Sequence, residues 1–549
     1  MFKLRDLKTY LNIWFILSLI AVLLVILPTA NIMMRLFEQP SEVWFHIKEH
    51  LLPYYIKNTL IIIISTGFLS AIIGVSLAWV VTMYEFPLRR TFEWGLILPL
   101  AIPPYIAAYT YSEMVSYTGV VQTTARHLFQ VQIPPHYLDI MSVRGTIFIF
   151  TLFLYPYVYI ISKSFLQKQS SSLIESARVL GKGQLSIFLK VGVPLLRNAI
   201  IGGVILVILE VLNDYGVVHY FGVRTFSTAI FTAWRSFGDI LSAVRLSGML
   251  LVLVIIILIL EKLLRSRKSY SYTNTVVKPI HRIELNGYKK TLTMLFPLFI
   301  LGAGFIIPTL QLIAYSINRY QLFYRIDFIY VTINSVTLAL TTTIIILLIA
   351  IIIANYSRNY KSTISRIFSR IITIGYSIPG AIIAIAVMLL FISIDDKLYS
   401  VYQLINPDSK KLLLSFSIYS LIFAYTIRFM AIGYNSIEAG FDKVGNKFSE
   451  ASRTLGNNLF KTLIKVDFPM IKFSIFNAAI LVFIDVLKEL PLTLILRPFN
   501  YDTLATKAYD YAGDEMIEEA SIPSLIIIVV SALAIYFFYK VGESRVRKH

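Results

Sequence analysis

Twelve apolar runs, at about 11–33, 58–82, 93–112, 146–163, 195–215, 241–260, 292–314, 331–355, 371–393, 412–432, 473–491 and 521–539, divide this 549-residue sequence from end to end. Each is near the roughly 20 residues that a helix needs to cross a hydrocarbon core about 30 Å thick. Inside hydrocarbon no water meets an open backbone N–H or C=O, so long continuous apolar runs cross as helices, which bond their own backbone. The predicted class is an all-α integral membrane protein of about 12 transmembrane helices. Composition agrees: charged residues are 15% and hydrophobic residues 57%, with mean hydropathy +0.72, whereas soluble domains are about a quarter charged.

A net charge of +19 would point to nucleic acid in a soluble protein, so the placement of the basic residues decides its meaning. With the N-terminus cytoplasmic and the spans alternating, 33 of the 50 Lys and Arg fall in inner segments, counting Lys163 and Arg197 at span edges. Fourteen fall in outer segments, and Arg245, Arg428 and Lys488 lie inside spans. This is the positive-inside bias; it predicts that both termini are cytoplasmic and makes a nucleic-acid partner unnecessary. The first run follows Lys3, Arg5 and Lys8 but is longer than the apolar core of a secretory signal. It also has a counterpart at 292–314, so it reads as a retained helix. The absence of cysteine excludes disulfides, thiolate metal sites and Cys nucleophiles.

The chain is a tandem duplication. Asn58 and Asn334, Arg90 and Arg366, and Pro103 and Pro379 correspond at an offset of 276. "ESARVLGKGQLSIFLKVGVP" (175–194) returns as "EASRTLGNNLFKTLIKVDFP" (450–469) at an offset of 275. Six spans per half, an even number, give the two repeats the same orientation, related by an axis along the membrane normal. The repeats are assigned to 1–275 and 276–549, joined by a polar, basic stretch at 261–290 that reads as a cytoplasmic linker. Pro103-Pro104 and Pro379-Gly380 fall mid-span in the third run of each half and predict kinks, either for packing or as hinges.

Both copies of the repeated polar segment fall in predicted cytoplasmic loops. Leu173, Ala177 and Leu180, matched by Phe448, Ser452 and Leu455, recur at i, i+4 and i+7 and predict a short helix with a narrow apolar-to-small face. Glu175 and Glu450 near its start and Arg178 and Arg453 near its end suit the helix dipole. Gly181 and Gly456 stand where a left-handed stop is expected. A second helix follows, closed by Pro194 and Pro469. Alone, each copy could be an amphipathic surface helix; as an equivalent pair they read as handles for a groove on a soluble partner.

The segment resembles the EAA loop of ABC importer permeases, in which Glu-Ala-Ala is followed by a Gly six residues after the Glu and by a Pro some thirteen residues later. Glu175, Gly181 and Pro194 match, as do Glu450, Gly456 and Pro469, while Ser176 and Ser452 each replace one alanine. The resemblance implies a type I ABC importer permease fold in a bacterial inner membrane. It makes 173–194 and 448–469 the coupling loops, with Glu175, Ala177, Arg178, Leu180, Gly181, Glu450, Ser452, Arg453, Leu455 and Gly456 entering a cleft of the ATP-binding subunit. It implies as partners two cytoplasmic ABC ATPase subunits, which carry ATP and Mg, and an extracytoplasmic substrate-binding protein. The chain has no Gly-x-x-x-x-Gly-Lys-Ser/Thr loop; "GFDKVGNK" (440–447) breaks the pattern at Asn446. It is therefore expected to be no enzyme and to bind no cofactor itself.

Charged groups inside spans are costly and tend to face a bundle interior or a pathway. Glu210, Asn213 and Asp214 in the fifth run correspond to Asp485, Lys488 and Glu489 in the eleventh. They are candidates for an acidic lining; the alternatives are mutual neutralisation with Lys488, or seats at headgroup level for Asp214 and Glu489. "LNDYGVVHYFGVRTF" (212–226) and "KELPLTLILRPFNYDTLA" (488–505) resemble fused ferric-iron importer permeases, a likeness that runs along nearly the whole chain. It implies ferric iron as substrate, delivered at outer loops near 113–145, 216–240 and 492–520. Iron, a hard cation, suits oxygen donors; thiamine, the alternative, would favour aromatic faces. A secondary transporter of six-plus-six spans would explain the duplication but not the paired loops. A membrane enzyme finds no HExxH or Gly-x-Ser-x-Gly to work with.

Overall fold

A computed structural model describes residues 12–168, 172–265, 282–360, 362–409 and 411–546. The repeat boundary near 275 and most of the basic linker lie outside them. Among the described residues, nine helices are long and apolar enough to cross a membrane, and a bent pair, Thr363–Ser377 with Gly380–Ile405, makes a tenth. The strands among the described residues are one two-residue parallel pair, Tyr84–Glu85 with Ile283–Glu284. Two of the twelve expected spans look different. The run at 93–112 is broken into Arg89–Gly95, a 3-10 turn at Leu98–Ala101 and Pro104–Val115. The run at 412–432 belongs to Ile418–Val444, which carries Arg428 in its interior.

The prolines do more than kink. Pro103 and Pro379 stand just ahead of new helices with nearly the same backbone angles, φ −55° and ψ 138° against φ −53° and ψ 139°. In the second repeat the chain turns by 111° there. Proline supplies no N–H and its ring excludes the preceding carbonyl, so the expectation of a kinked continuous span gives way to a full break. Breaking a helix orphans carbonyls, which at membrane depth must be met from within the protein. Tyr155 and Tyr159, on the Val143–Lys168 helix, donate their hydroxyls to the Leu96 and Glu93 carbonyls at 3.0 Å each. In the second repeat Arg428 donates to the carbonyls of Ile378 and, at 3.4 Å, Tyr376. The buried in-span arginine is thus accounted for by the break beside it.

Three helices of each repeat meet at one close crossing. In the first, Val158 sits between Gly74 and Gly203: a Cβ at Gly74 would lie 2.8 Å from Val158 Cβ, and one at Gly203 2.7 Å from Val158 Cα. At the corresponding positions the second repeat has Ala350, Gly433 and Ala478, and there a Cβ on Gly433 would lie 2.6 Å from Ile346 Cγ2. Both crossings bring helices together over a glycine, as expected where dispersion and close backbone approach drive helix association in lipid.

The chain packs as two compact units, each drawing on both repeats: Met1–Trp44, Ile230–Leu251 and Phe323–Lys507 in one, and Phe45–Ala229, Val252–Leu322 and Ala508–His549 in the other. Within the first, Phe15 of the opening helix Ile13–Arg35 stacks on Phe368 at 5.8 Å, and Arg35 donates to Ser393 at 3.3 Å. Within the second, Tyr111 donates to the Ala303 carbonyl at 2.5 Å, and a Cβ on Gly304 would lie 3.0 Å from Pro99 Cγ. The leading helix of each repeat therefore packs on the core of the other.

Gly74→Leu should lower the melting temperature of the purified, detergent-solubilised protein by the equivalent of about 1–3 kcal/mol, the usual cost of overpacking. Gly513→Ala, where nothing lies within 4 Å, is the control; equal shifts for the two would mean that the crossing does not constrain the fold.

Candidate functional site

The two repeated loops fold as the glycines require. Ser172–Val179 and Lys447–Thr454 are short helices with Glu175 and Glu450 in their first turns and Arg178 and Arg453 in their last. Both end in a Schellman motif. Gly181 N–H donates to the Arg178 carbonyl at 2.9 Å and Lys182 N–H to that of Ala177 at 3.2 Å. The second loop repeats the pattern from Gly456 to Arg453 at 3.0 Å and from Asn457 to Ser452 at 3.3 Å. Gly181 has φ +71° and Gly456 φ +86°, and no atom lies within 4 Å of where either Cβ would stand. Backbone conformation, rather than crowding, selects glycine here.

After the turn the expectation needs correcting. Pro194 and Pro469 do not close a separate helix. Gln184–Asn213 and Leu459–Leu487 each run on as one helical rod of 30 and 29 residues. Because proline cannot donate to the residue four back, the turn before it opens to π-helix, at Phe188–Gly192 and Leu463–Asp467, and Pro194 and Pro469 sit in the first turn of the α-helix that follows. Each loop is thereby mechanically continuous with a membrane-spanning helix.

The predicted stripe is also corrected. Ala177 and Ser452 face inward and are buried, with Ile174 and Ser449 beside them, whereas Leu180 is 76% and Leu455 83% exposed. Phe448 is exposed as well, and the side chain of Leu173 lies outside the described residues. Each short helix therefore seats its small residues against its own bundle and presents apolar side chains at its tip: Val179, Leu180 and Leu185 in one loop, Leu455 and Phe460 in the other.

The loops are tied down by different chemistry. In the second, Arg358, at the end of the Ile326–Asn359 helix, pairs with Asp467 at 2.9 Å and donates to Asn446 Oδ1 and Ser449 Oγ at 2.8 Å each and to the Gly445 carbonyl. Ser449 Oγ in turn donates to Asp467 at 2.5 Å. In the first loop Thr82 and Gly192 hold the places of Arg358 and Asp467. Trp79 lies so close to Gly192 that a Cβ would come within 2.5 Å of its ring, and it packs on Phe188 at 5.3 Å between centroids. The sequence reading missed Arg358; the available signal was Asp467 where the first repeat has glycine.

The in-span acids separate by role. Asp214 Oδ1 accepts the Val217 N–H at 2.8 Å and Glu489 Oε1 the Leu492 N–H at 3.3 Å. These two equivalent residues thus cap the short helices Gly216–Tyr220 and Pro491–Leu496, which follow the breaks of their spans. Lys488 pairs with Asp485 at 2.7 Å. Asn213 is buried and Glu210 half-buried. Among the described residues no three His, Cys, Asp or Glu side chains come together as a metal site.

Two stretches, 70–270 and 346–548, match the family of binding-protein-dependent transport system inner membrane components. The chain belongs to that family. It is therefore the permease component of a binding-protein-dependent ABC importer, a multi-pass inner-membrane protein and not the ATPase. It is 23% identical over 491 residues to the Fe(3+)-transport system permease protein FbpB 2 of Haemophilus influenzae, covering 88% of this chain and 89% of that protein. The sulfate transport system permease protein CysT of Salmonella typhimurium is 27% identical over 36% of this chain and 69% of its own length. The molybdenum transport system permease protein ModB of Escherichia coli is 24% identical over 34% of this chain and 82% of its own length.

Replacing Gly181 or Gly456 with Val should cost the turn about 1–2 kcal/mol and lower transport per ATP hydrolysed, while Asn, which visits positive φ, should retain it. Equal losses for Asn and Val would assign the glycines to a contact instead. Arg358→Met leaves Asp467 buried without its cation and should destabilise the permease by about 3–5 kcal/mol. Adding Asp467→Leu should recover much of that loss in a melting assay.

Proposed function

We propose that this permease forms the pathway of a ferric-iron importer, driven by two cytoplasmic ATPase subunits that dock on the Gly181 and Gly456 loops. The observation that carries the iron reading is the coverage of the Fe(3+) permease, which extends along 88% of this chain and 89% of its own. CysT and ModB match about a third of the chain. Half-buried Glu210 also suits a cation better than an oxyanion.

In this reading both termini and both loops are cytoplasmic, as the distribution of Lys and Arg favours, and a binding protein delivers the substrate to the opposite face. ATP and Mg act on the ATPases. Val179, Leu180, Leu455 and Phe460 fill clefts on those subunits, a helix-in-groove contact. Closure of the ATPase pair then moves each loop as a rigid body, and the continuous rods Gln184–Asn213 and Leu459–Leu487 carry that movement to the acids at their far ends.

The chain contains no cysteine, so a single Cys at Leu180 or Leu455 is the sole thiol. Each should form a disulfide with a cleft cysteine on the co-expressed ATPase, and absence of both cross-links in an active complex refutes the docking. Glu210→Ala with Asp485→Ala should reduce radioiron uptake while leaving co-purification of the ATPase intact. Wild-type uptake in that double mutant removes these acids from the pathway.

A further inference from the structure

Beside Tyr509 and Asp510 of the second repeat stand three side chains of the first, Tyr105, Tyr215 and His219, that have no polar counterpart in the second. His219 Nδ1 and Tyr509 Oη are 2.7 Å apart. The Tyr215 ring stacks on His219 at 4.7 Å, and the rings of Tyr105 and Tyr215 lie 6.2 and 6.3 Å from that of Tyr509. Asp214 and Asp510 are close enough to act on the ionisation of Tyr509. Burial first, then Tyr215, Asp214, Asp510 and Tyr220, push its phenol far above the ordinary value. All of these residues belong to one compact unit. Tyr105, Tyr215 and Tyr509 are buried, while His219 is exposed.

Packing does not demand the three side chains that come from the first repeat. At the positions of Tyr105, Tyr215 and His219 the second repeat has Ala381, Leu490 and Leu494, and Ala381 and Leu490 are buried there without polar atoms. The same scaffold is completed by aliphatic side chains in one copy and by phenols and an imidazole in the other.

Phenolate and carboxylate oxygens with one imidazole nitrogen are donors for a hard, highly charged cation, and imidazole is also a good ligand for iron. We propose that Tyr509 and His219, 2.7 Å apart and with the carboxylate charges of Asp214 and Asp510 acting on Tyr509, form a transit site that holds ferric ion between delivery and passage. The proposal rests on the ferric reading above. The bridging proton between Tyr509 and His219 marks where the cation sits. On binding, the Tyr509 phenol releases its proton to water past exposed His219, an Fe–O bond replaces the O–H bond, and the neutral imidazole remains as a nitrogen donor. No electron is transferred. Asp214 keeps its helix cap through Oδ1, which fixes the short segment carrying Tyr215 and His219 next to Tyr509.

The full-length permease, purified in detergent and titrated with ferric citrate, should develop a visible tyrosinate-to-iron charge-transfer band. Tyr509→Phe keeps the packed ring but should abolish the band, and His219→Gln should weaken binding roughly tenfold or more; Tyr419→Phe, on an exposed position elsewhere, should change nothing. In the assembled importer Tyr509→Phe should lower radioiron uptake with the ATPase still bound. Absence of a band in the wild type, or a band and uptake that survive Tyr509→Phe, overturns the transit site alone. If the wild-type importer takes up no iron at all, the ferric reading itself fails.

Discussion

A carbonyl released inside hydrocarbon has to be answered by the protein, because no water is there to do it. That requirement organises both repeats. Proline breaks the third apolar run of each, and each break is answered from a neighbouring helix, by the Tyr155 and Tyr159 hydroxyls in one repeat and by the Arg428 guanidinium in the other. The spans that carry Glu210 and Asp485 also break, and Asp214 and Glu489 satisfy the N–H groups that the new helices expose. Polar residues that look anomalous within apolar runs are, at these positions, what makes an irregular backbone tolerable at depth.

The same logic separates what moves from what is fixed. A helix that stops at a positive-φ glycine and resumes at once cannot bend smoothly between its two limbs. The π-turn ahead of Pro194 and Pro469 keeps the second limb continuous with the span beyond it. Small residues, Ala177 and Ser452, let each loop lie against its own bundle, so displacement of a loop is displacement of a whole helix. Interfaces packed this closely respond by shifting between discrete arrangements rather than by yielding.

Much of this was legible in the sequence. The left-handed stops at Gly181 and Gly456 follow from a short local pattern, since a Schellman motif involves six consecutive residues and one special φ. The membrane class follows from run lengths. The direction each side chain takes was less accessible: periodicity grouped Leu180 with Ala177, but a helix this short ends before its stripe closes, and Leu180 falls at the cap, where it turns outward. The clamp on Arg358 joins residues 109 apart, a separation that no local pattern encodes. Proline forecast an interruption correctly, but whether the chain kinks or breaks depends on whether a neighbour can meet the freed carbonyls, and that is decided by tertiary packing.

Duplication supplies an internal control that a single-copy permease lacks. Where the repeats agree in backbone and differ in side chain, the fold has tolerated both solutions, and the difference calls for an explanation outside folding. The helix crossing passes as neutral: Val158 lies against Gly74 and Gly203 in one repeat, and Gly433 against Ile346, Ala350 and Val482 in the other. Arg358 against Thr82 does not, because a buried ion pair rarely improves on well-packed apolar groups in stability. Its effect is to fix one loop by directed hydrogen bonds where the other rests on the face of Trp79. The side chains around Tyr509 stand further still from neutrality, since Tyr105, Tyr215 and His219 occupy positions where the second copy has Ala381, Leu490 and Leu494. One repeat has kept the plain scaffold at that position, and the other has acquired donor chemistry on it.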